Sequence, residues 1–192
     1  LVAAACLLGF IFWQRLGARR GLTRLVPAGM LSTNGFGHAL LMILVFFSGV
    51  ASMYFVLALE LRRAVGFSPI QVGALFGWLG LWFVIGSSSR RLRRRLGPGA
   101  VHAGVASLLL GHALVTAAAL GWMPGVRVPV FVLSSLLQGL GVGLLMGHLM
   151  ANALARVAPE QASVGGGLAA ATQQIGNSMG ICLIGLAYFG PG

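Results

Sequence analysis

Two sets of polar side chains stand at helical spacing inside long apolar segments of the chain. Gln173 and Asn177 are four residues apart, and Gln138, His148 and Asn152 follow one another at helical spacings. Residues three or four apart share one face of a helix, so each set predicts a polar stripe. An unpaired amide in hydrocarbon costs about 1–3 kcal/mol, so these side chains should face protein or water. Two such stripes on neighbouring helices favour a shared cavity that binds a small molecule.

The same side chains have a second interpretation. Amides that pair across helices act as structural links, worth about 1 kcal/mol in model peptides. His148 is a candidate proton carrier because imidazole titrates near neutral pH, but a lone histidine on a helix also satisfies a backbone carbonyl. We therefore assign no proton-coupling residue. No HExxH motif or His/Cys cluster is present, so the sequence predicts no catalytic residue, metal site or cofactor.

Glycines recur at intervals of four beside these stripes. Helices in lipid associate through close backbone approach, which small residues allow. The spacing predicts tight helix contacts rather than an activity, at Gly73 and Gly77 and, beside the polar stripes, at Gly139, Gly143, Gly147, Gly176 and Gly180.

Composition places the chain in a membrane. Of its 192 residues, 58% are hydrophobic and only 8% are charged, far from the averages for a soluble domain. All 13 basic residues are arginine, and Glu60 and Glu160 are the only acids. The arginines stand in short runs between apolar segments without a basic face among polar residues, which argues against a nucleic-acid partner. The fold class expected is an all-α helical bundle in a lipid bilayer.

Five apolar segments each have about the 20 residues that a bilayer core requires: 36–59, 70–89, 100–122, 129–155 and 163–189. Short separators predict antiparallel neighbours. The loops on one side hold most of the arginines, which predicts that this side faces the cytoplasm: Arg15, Arg19, Arg20, Arg24, Arg90, Arg91, Arg93, Arg94, Arg95 and Arg156.

The organisation expected from this pattern has three parts. Residues 1–13 are the end of a truncated transmembrane helix, residues 14–35 are a basic cytoplasmic linker, and residues 36–189 are a helical bundle that lacks its last helix. The arginine cluster at 90–95 has two interpretations. It anchors the topology through anionic lipid, at about 1 kcal/mol per charge, or it acts as a gate that pairs with a missing half of the protein.

Three motifs carry a resemblance to a known family. They are "RRAVGFSPIQVG" at 62–73, "GSSSRRLRRRLGPG" at 86–99 and "VAPEQASVGGGLAAATQQIGNSMG" at 157–180. In this order they resemble the C-terminal half of a major facilitator superfamily transporter, in the fourteen-span drug:proton antiporter branch. The second motif resembles that family's cytoplasmic loop through Gly86, Arg90, Arg91, Arg94, Arg95 and Gly97. The family usually has an acidic residue where this chain has Arg94.

The resemblance implies a function and its partners. It implies a secondary active transporter, not an enzyme, that exports amphipathic drugs or toxic organic compounds in exchange for protons by alternating access. The setting implied is the bacterial cytoplasmic membrane, with the missing N-terminal half as the facing wall of the cavity. A uniporter or symporter of a metabolite, or a non-transporting scaffold subunit, is the alternative.

Overall fold

Five long helices form the part of the chain that the computed structural model describes, which is residue 30 and residues 35–63, 65–89, 95–122 and 125–190. The all-α prediction is confirmed, since no strand occurs in these ranges. Two short 3₁₀ turns, Gly97–Gly99 and Pro159–Gln161, precede the third and fifth helices. The helices are α1 (Phe36–Arg63), α2 (Pro69–Ser88), α3 (Ala100–Ala119), α4 (Arg127–Leu154) and α5 (Ala162–Phe189).

The start of α2 shows why the separators are short. The Ser68 side chain accepts a hydrogen bond from the Gln71 backbone N–H, while Gln71 Oε1 accepts one from the Ser68 backbone N–H at 2.8 Å. This reciprocal pair satisfies two of the donors that a helix start leaves free, and Pro69 occupies a first-turn position where no donor is required. Gly66 has φ +74°, a conformation that favours glycine, so the chain reverses within a few residues.

Four of the five helices, α1 to α4, are long and apolar enough to cross a membrane. The fifth predicted span is a helix of 28 residues without charged residues, but it is not among these four. Its sequence, which holds three consecutive glycines and the amides of Gln173, Gln174 and Asn177, lowers its apolar character. Such a helix requires neighbours that cover its polar groups.

The helices fall into two closely packed groups. Helix α4 packs along α2 on one side and along α3 on the other, and we call these three the three-helix unit. Helices α1 and α5 pack along each other, and we call them the helix pair. The contacts of α1 with α2 and α4, and of α5 with α4, are much less extensive. The bundle is therefore dense within each group and loose between them.

Two apolar clusters join the groups at opposite ends. The inner cluster combines the start of α1 with the end of α4 and the start of α5, at the end that the arginine pattern predicts to face the cytoplasm. Its buried members are Met30, Phe36, Ala39, Leu40, Ile43, Phe47, Ala153 and Ala169. The outer cluster combines the end of α1 with α2, α3 and the start of α4, through Leu57, Leu61, Leu75, Val115, Ala118 and Phe131. These contacts confirm antiparallel neighbours along the chain.

Several predictions concern residues outside the described ranges. These are the truncated helix at 1–13, most of the linker at 14–35, and Arg90, Arg91, Arg93 and Arg94 of the loop motif. Within that motif, the structure describes Gly86, Arg95 and Gly97.

A candidate binding cavity between the two helix groups

A cavity of about 560 Å³ lies between the helix pair and the three-helix unit, close to the middle of the four helices that line it. It occupies the space between the inner and outer clusters, where the two groups are not packed together. A volume of several hundred Å³ is typical of small-molecule sites. Its lining residues are Phe47, Val50, Ala51, Tyr54, Phe55, Leu79, Gly80, Phe83, Val142, Met146, Gln173, Asn177 and Ile181.

The polar side chains of the cavity wall are two amides and one phenol. Gln173 and Asn177 come from α5, and Tyr54 comes from α1. Asn177 Nδ2 donates a long hydrogen bond of 3.4 Å to Gln174 Oε1, which leaves the Asn177 carbonyl oxygen available. Within the described residues, the Gln173 amide makes no hydrogen bond. The structure thus brings together the two amides of α5, with the Gln173 amide and the Asn177 carbonyl oxygen available for hydrogen bonds.

No charged side chain is among the described residues that line the cavity. Removing a cation from water into a low-dielectric site costs several kcal/mol. A cation–π contact with a ring such as Tyr54 or Phe83 returns about 2 kcal/mol when desolvated. This part of the wall therefore does not compensate the charge of a bound cation.

The helix pair holds α5 in register with α1 through two glycines. A Cβ at Gly176 would lie 2.6 Å from the Leu44 carbonyl oxygen, and a Cβ at Gly180 would overlap the Ser48 carbonyl oxygen. The Ser52 hydroxyl donates to the Gly180 carbonyl oxygen at 2.9 Å, and it also lies 2.8 Å from the Ser48 carbonyl oxygen. Because Gln173 and Asn177 lie beside these glycines on α5, the close contact fixes where the amides stand.

A polar contact closes the outer end of the helix pair. The Tyr188 hydroxyl donates to Glu60 Oε1 at 3.0 Å and accepts from Arg63 Nη1 at 3.1 Å. The Arg63 guanidinium also stacks over the rings of Tyr188 and Phe189, at 5.2 and 5.7 Å from their centroids. Tyr188 therefore links an acid and a base of α1 to the end of α5.

The three-helix unit uses glycines on both sides of α4. A Cβ at Gly139 or Gly143 would overlap the carbonyl oxygen of Leu79 or Phe83 on α2. The contact is reciprocal, because a Cβ at Gly86 of α2 would lie 2.8 Å from the Leu140 carbonyl oxygen. Gly86, which the resemblance assigns to the cytoplasmic loop motif, thus contributes to helix packing.

The side of α4 that faces α3 has its own small residues. A Cβ at Gly141 would lie 2.8 Å from the Gly104 carbonyl oxygen, and one at Gly111 would lie 2.9 Å from Gln138 Cγ. Gly73 and Gly77 differ from these positions, since a Cβ at either would meet no atom within 4 Å. The GxxxG spacing on α2 is therefore not a contact within the described part of the chain.

The structure does not bring the polar side chains predicted on α4, Gln138, His148 and Asn152, to the cavity. Gln138 is fully buried against α3, with neither amide atom hydrogen-bonded in the described structure. His148 Nδ1 lies 2.9 Å from the Leu144 carbonyl oxygen, and Asn152 accepts a hydrogen bond from Arg156 Nε at 3.1 Å. The reason is the rotation of α4 about its axis. Gln138, Gly141 and Leu145 face α3, and α4 presents a different side to the cavity through Val142 and Met146.

Sequence reasoning missed most of the cavity wall, because most of it is apolar. On α1 the lining residues Phe47, Ala51, Tyr54 and Phe55 follow helical spacing. In a helix that is apolar on every side, however, nothing in the residue types separates a cavity face from a lipid face. The aromatic residues themselves were the available signal, since rings are common in ligand sites.

Comparisons with known proteins identify relatives of this chain. No family model matches it and no solved structure matches it. It is 31% identical to the probable actinorhodin transporter of Streptomyces coelicolor over 192 residues, which are 99% of this chain and 33% of that protein. It is 29% identical to a puromycin resistance protein of Streptomyces alboniger over 175 residues, 86% of this chain and 33% of the relative. The chain spans about a third of the length of these curated relatives.

These relatives confirm the resemblance to drug transporters of the major facilitator type that the three motifs predicted. Their similarity extends over nearly the whole chain in the first case. Together with the four apolar helices of membrane-spanning length, it makes the chain a multi-pass membrane protein.

Proposed function

We propose that this chain is the C-terminal part of a major facilitator transporter that exports amphipathic organic compounds across the bacterial cytoplasmic membrane. The observation that carries the proposal is the cavity near the middle of α1, α2, α4 and α5, on a chain related to an actinorhodin transporter and a puromycin resistance protein. Transporters of this design bind substrate near the bilayer midplane, between two halves. The cavity described here is then one wall of that site.

Alternating access explains why the helices are joined through glycines. When two halves rock about a central site, each half moves largely as a rigid body. Close backbone contacts such as Gly180 on Ser48 and Gly143 on Phe83 keep neighbouring helices together during that motion. The substrate crosses the membrane unchanged, and the protein is not an enzyme.

Exchange for protons is the coupling that we propose. The acids of this chain are Glu60, near the end of α1, and Glu160, before the start of α5, so neither lies in the middle of a described helix. We therefore place the proton-carrying carboxylates in the first half of the full-length protein. His148 stays a candidate carrier, with its Nδ1 already engaged by the Leu144 carbonyl.

The test uses the full-length protein that contains this chain, reconstituted in liposomes with a pH gradient. Proton movement is followed with a pH-quenched dye while organic compounds are added one at a time. Substrate-dependent proton release is the expected result. Transport of a compound without proton release would replace antiport with uniport, and no transport of any compound by correctly inserted protein would favour a scaffold subunit.

A further inference from the structure

We propose that a second groove, between the start of α2 and the start of α4, binds one anionic phospholipid of the outer leaflet, the leaflet opposite the predicted cytoplasmic side. The groove encloses about 370 Å³ and is lined by Phe67, Gln71, Ala74, Leu75, Trp78 and Val132. It shares no residue with the cavity between the two helix groups. The proposal therefore goes beyond transport and does not depend on which compound is exported.

The groove changes from polar to apolar along the axis of α2. Gln71 lies in the first turn of the helix, and Trp78 lies seven residues further, about 10 Å deeper in the bilayer. Ala74, Leu75 and Val132 make the deeper part of the wall apolar. A phospholipid has the same order, with its polar headgroup at the membrane surface and its acyl chain below. The groove therefore matches a lipid that lies parallel to α2.

Trp78 is held in a fixed position at the deep end of the groove. Its Nε1 donates a hydrogen bond to the Val132 carbonyl oxygen at 3.3 Å, and its ring makes an edge contact with Trp82, at 5.6 Å between ring centroids. Ala74, one turn closer to the outer surface, has only a methyl group, which leaves the groove open above the indole. A slot that is already formed gains dispersion contacts with an acyl chain without reordering its own side chains.

The positive charge at the outer end of the groove favours an anionic headgroup. The Phe67 backbone N–H donates to the Leu61 carbonyl oxygen at 3.0 Å, which places the backbone of Arg62 beside the groove. Arg62 is exposed and makes no hydrogen bond or ion pair with the described residues, and the first turn of α2 has no acidic residue. The Gln71 Oε1 accepts from the helix cap, so its amide N–H groups remain available. Guanidinium and amide N–H groups both donate to phosphate oxygens.

The glycines of α2 distinguish a lipid from a helix as the occupant of the groove. Gly73 and Gly77 lie about 130° around the helix from the groove residues. A Cβ at either glycine would meet no atom within 4 Å among the described residues. A helix from the rest of the full-length protein would approach most closely at these small residues. That contact leaves the groove side of α2 to the bilayer.

The experiment uses the full-length protein in phosphatidylcholine nanodiscs with a trace of phosphatidylglycerol that carries a photoreactive diazirine in one acyl chain. After illumination, mass spectrometry locates the labelled residues, which we expect within 67–78. Arg62→Gln should lower this labelling about fivefold, the effect of one arginine at an anionic lipid surface, and Ala74→Phe should abolish it by filling the groove. The matched controls are Arg95→Gln, at an exposed arginine near the start of α3, and Val84→Phe, at an exposed position of α2 outside the groove.

Competition with unlabelled compounds identifies the occupant. Phosphatidylglycerol should remove the label, and phosphatidylethanolamine should do so about fivefold less effectively, since it lacks the net charge. Equal competition by the two lipids, or labelling that is unchanged in Arg62→Gln, would overturn the selection of an anionic lipid. Competition by glycerol 3-phosphate would assign the groove to a soluble phosphate compound instead. Absence of label from 67–78 would also overturn the inference and leave the groove to a protein helix or a second copy of the chain.

Discussion

The helix pair and the three-helix unit both pack their helices closely at glycines, but they differ in the other contacts that hold the helices together. In the pair, Gly176 and Gly180 of α5 meet the backbone of α1, and a hydroxyl, Ser52, adds a hydrogen bond at the same contact. In the three-helix unit, α4 carries glycines on two sides and is enclosed between α2 and α3. A helix enclosed on two sides gives its unit a fixed core, whereas the pair depends on one line of contact.

The two groups also differ in how their buried polar groups are satisfied. The pair places its amides at the cavity and pairs its terminal side chains through Tyr188. The three-helix unit buries Gln138 completely without a hydrogen-bond partner in the described structure. The pair therefore carries polar groups that can serve a ligand, and the unit carries buried polar groups, those of Gln138 and the Trp82 indole N–H, that oppose its own stability. The cavity lies where these two differently built groups meet.

The largest effect is expected from Gly180→Leu in the helix pair. The new side chain would collide with the Ser48 backbone, which cannot move aside as a flexible side chain can. Overpacking of this kind costs about 1–3 kcal/mol and sometimes more, and here it should separate α1 from α5. We expect transport by the full-length protein to be lost while membrane insertion persists.

Gly185→Leu on the same helix is the control, because a Cβ there meets no atom within 4 Å. Transport and insertion are measured together for both variants. Normal export by Gly180→Leu would show that the close contact between α1 and α5 is not required.

A second comparison lies within the three-helix unit. Gly139→Ala should destabilise the protein by about 1–3 kcal/mol, because its Cβ would overlap the Leu79 carbonyl oxygen. Gly104→Ala should cost less, because its nearest neighbour is the Leu145 side chain, 2.9 Å away, and the nearest backbone atom, the Gly141 carbonyl oxygen, is 3.3 Å away, while alanine gains about 0.5–1 kcal/mol over glycine in a helix. Unfolding of the purified protein in increasing SDS measures both, and equal losses would contradict the distinction between backbone and side-chain contacts.

The sequence alone predicted the features that depend on residues close together in the chain. Apolar length predicted the helices, and glycine spacing predicted contacts at Gly139, Gly143, Gly176 and Gly180, where the structure has close approaches. The spacing failed at Gly73 and Gly77 because periodicity identifies a face of a helix but not what lies opposite. The α4 stripe shows the same limit. Gln138 and Gln173 look alike in sequence, and only the rotation of each helix in the bundle turns one towards α3 and the other towards the cavity.

For the buried amide of the three-helix unit, Gln138, we predict a substitution that stabilises the protein, in contrast to the glycine substitutions. Gln138→Leu replaces a fully buried side chain that has no hydrogen-bond partner in the described structure by an apolar one of similar size. Relief of the desolvation penalty should stabilise the protein by about 1–3 kcal/mol, again measured by SDS unfolding. Gln138→Glu is the matched control and should destabilise it, because a charge would be buried instead. A loss of stability in Gln138→Leu would show that the amide has a partner.

The smallest effect is expected from Ser52→Ala in the helix pair. The substitution removes the hydroxyl that bonds the Gly180 carbonyl at 2.9 Å but leaves the backbone approach intact. Hydrogen bonds between membrane helices contribute about 0.6 kcal/mol on average, so stability in SDS should fall only slightly and transport should persist. The comparison with Gly180→Leu is decisive, since both changes act on the same contact. If Ser52→Ala destabilised the protein as much as Gly180→Leu, the hydroxyl rather than the close approach of α1 and α5 would hold the pair together.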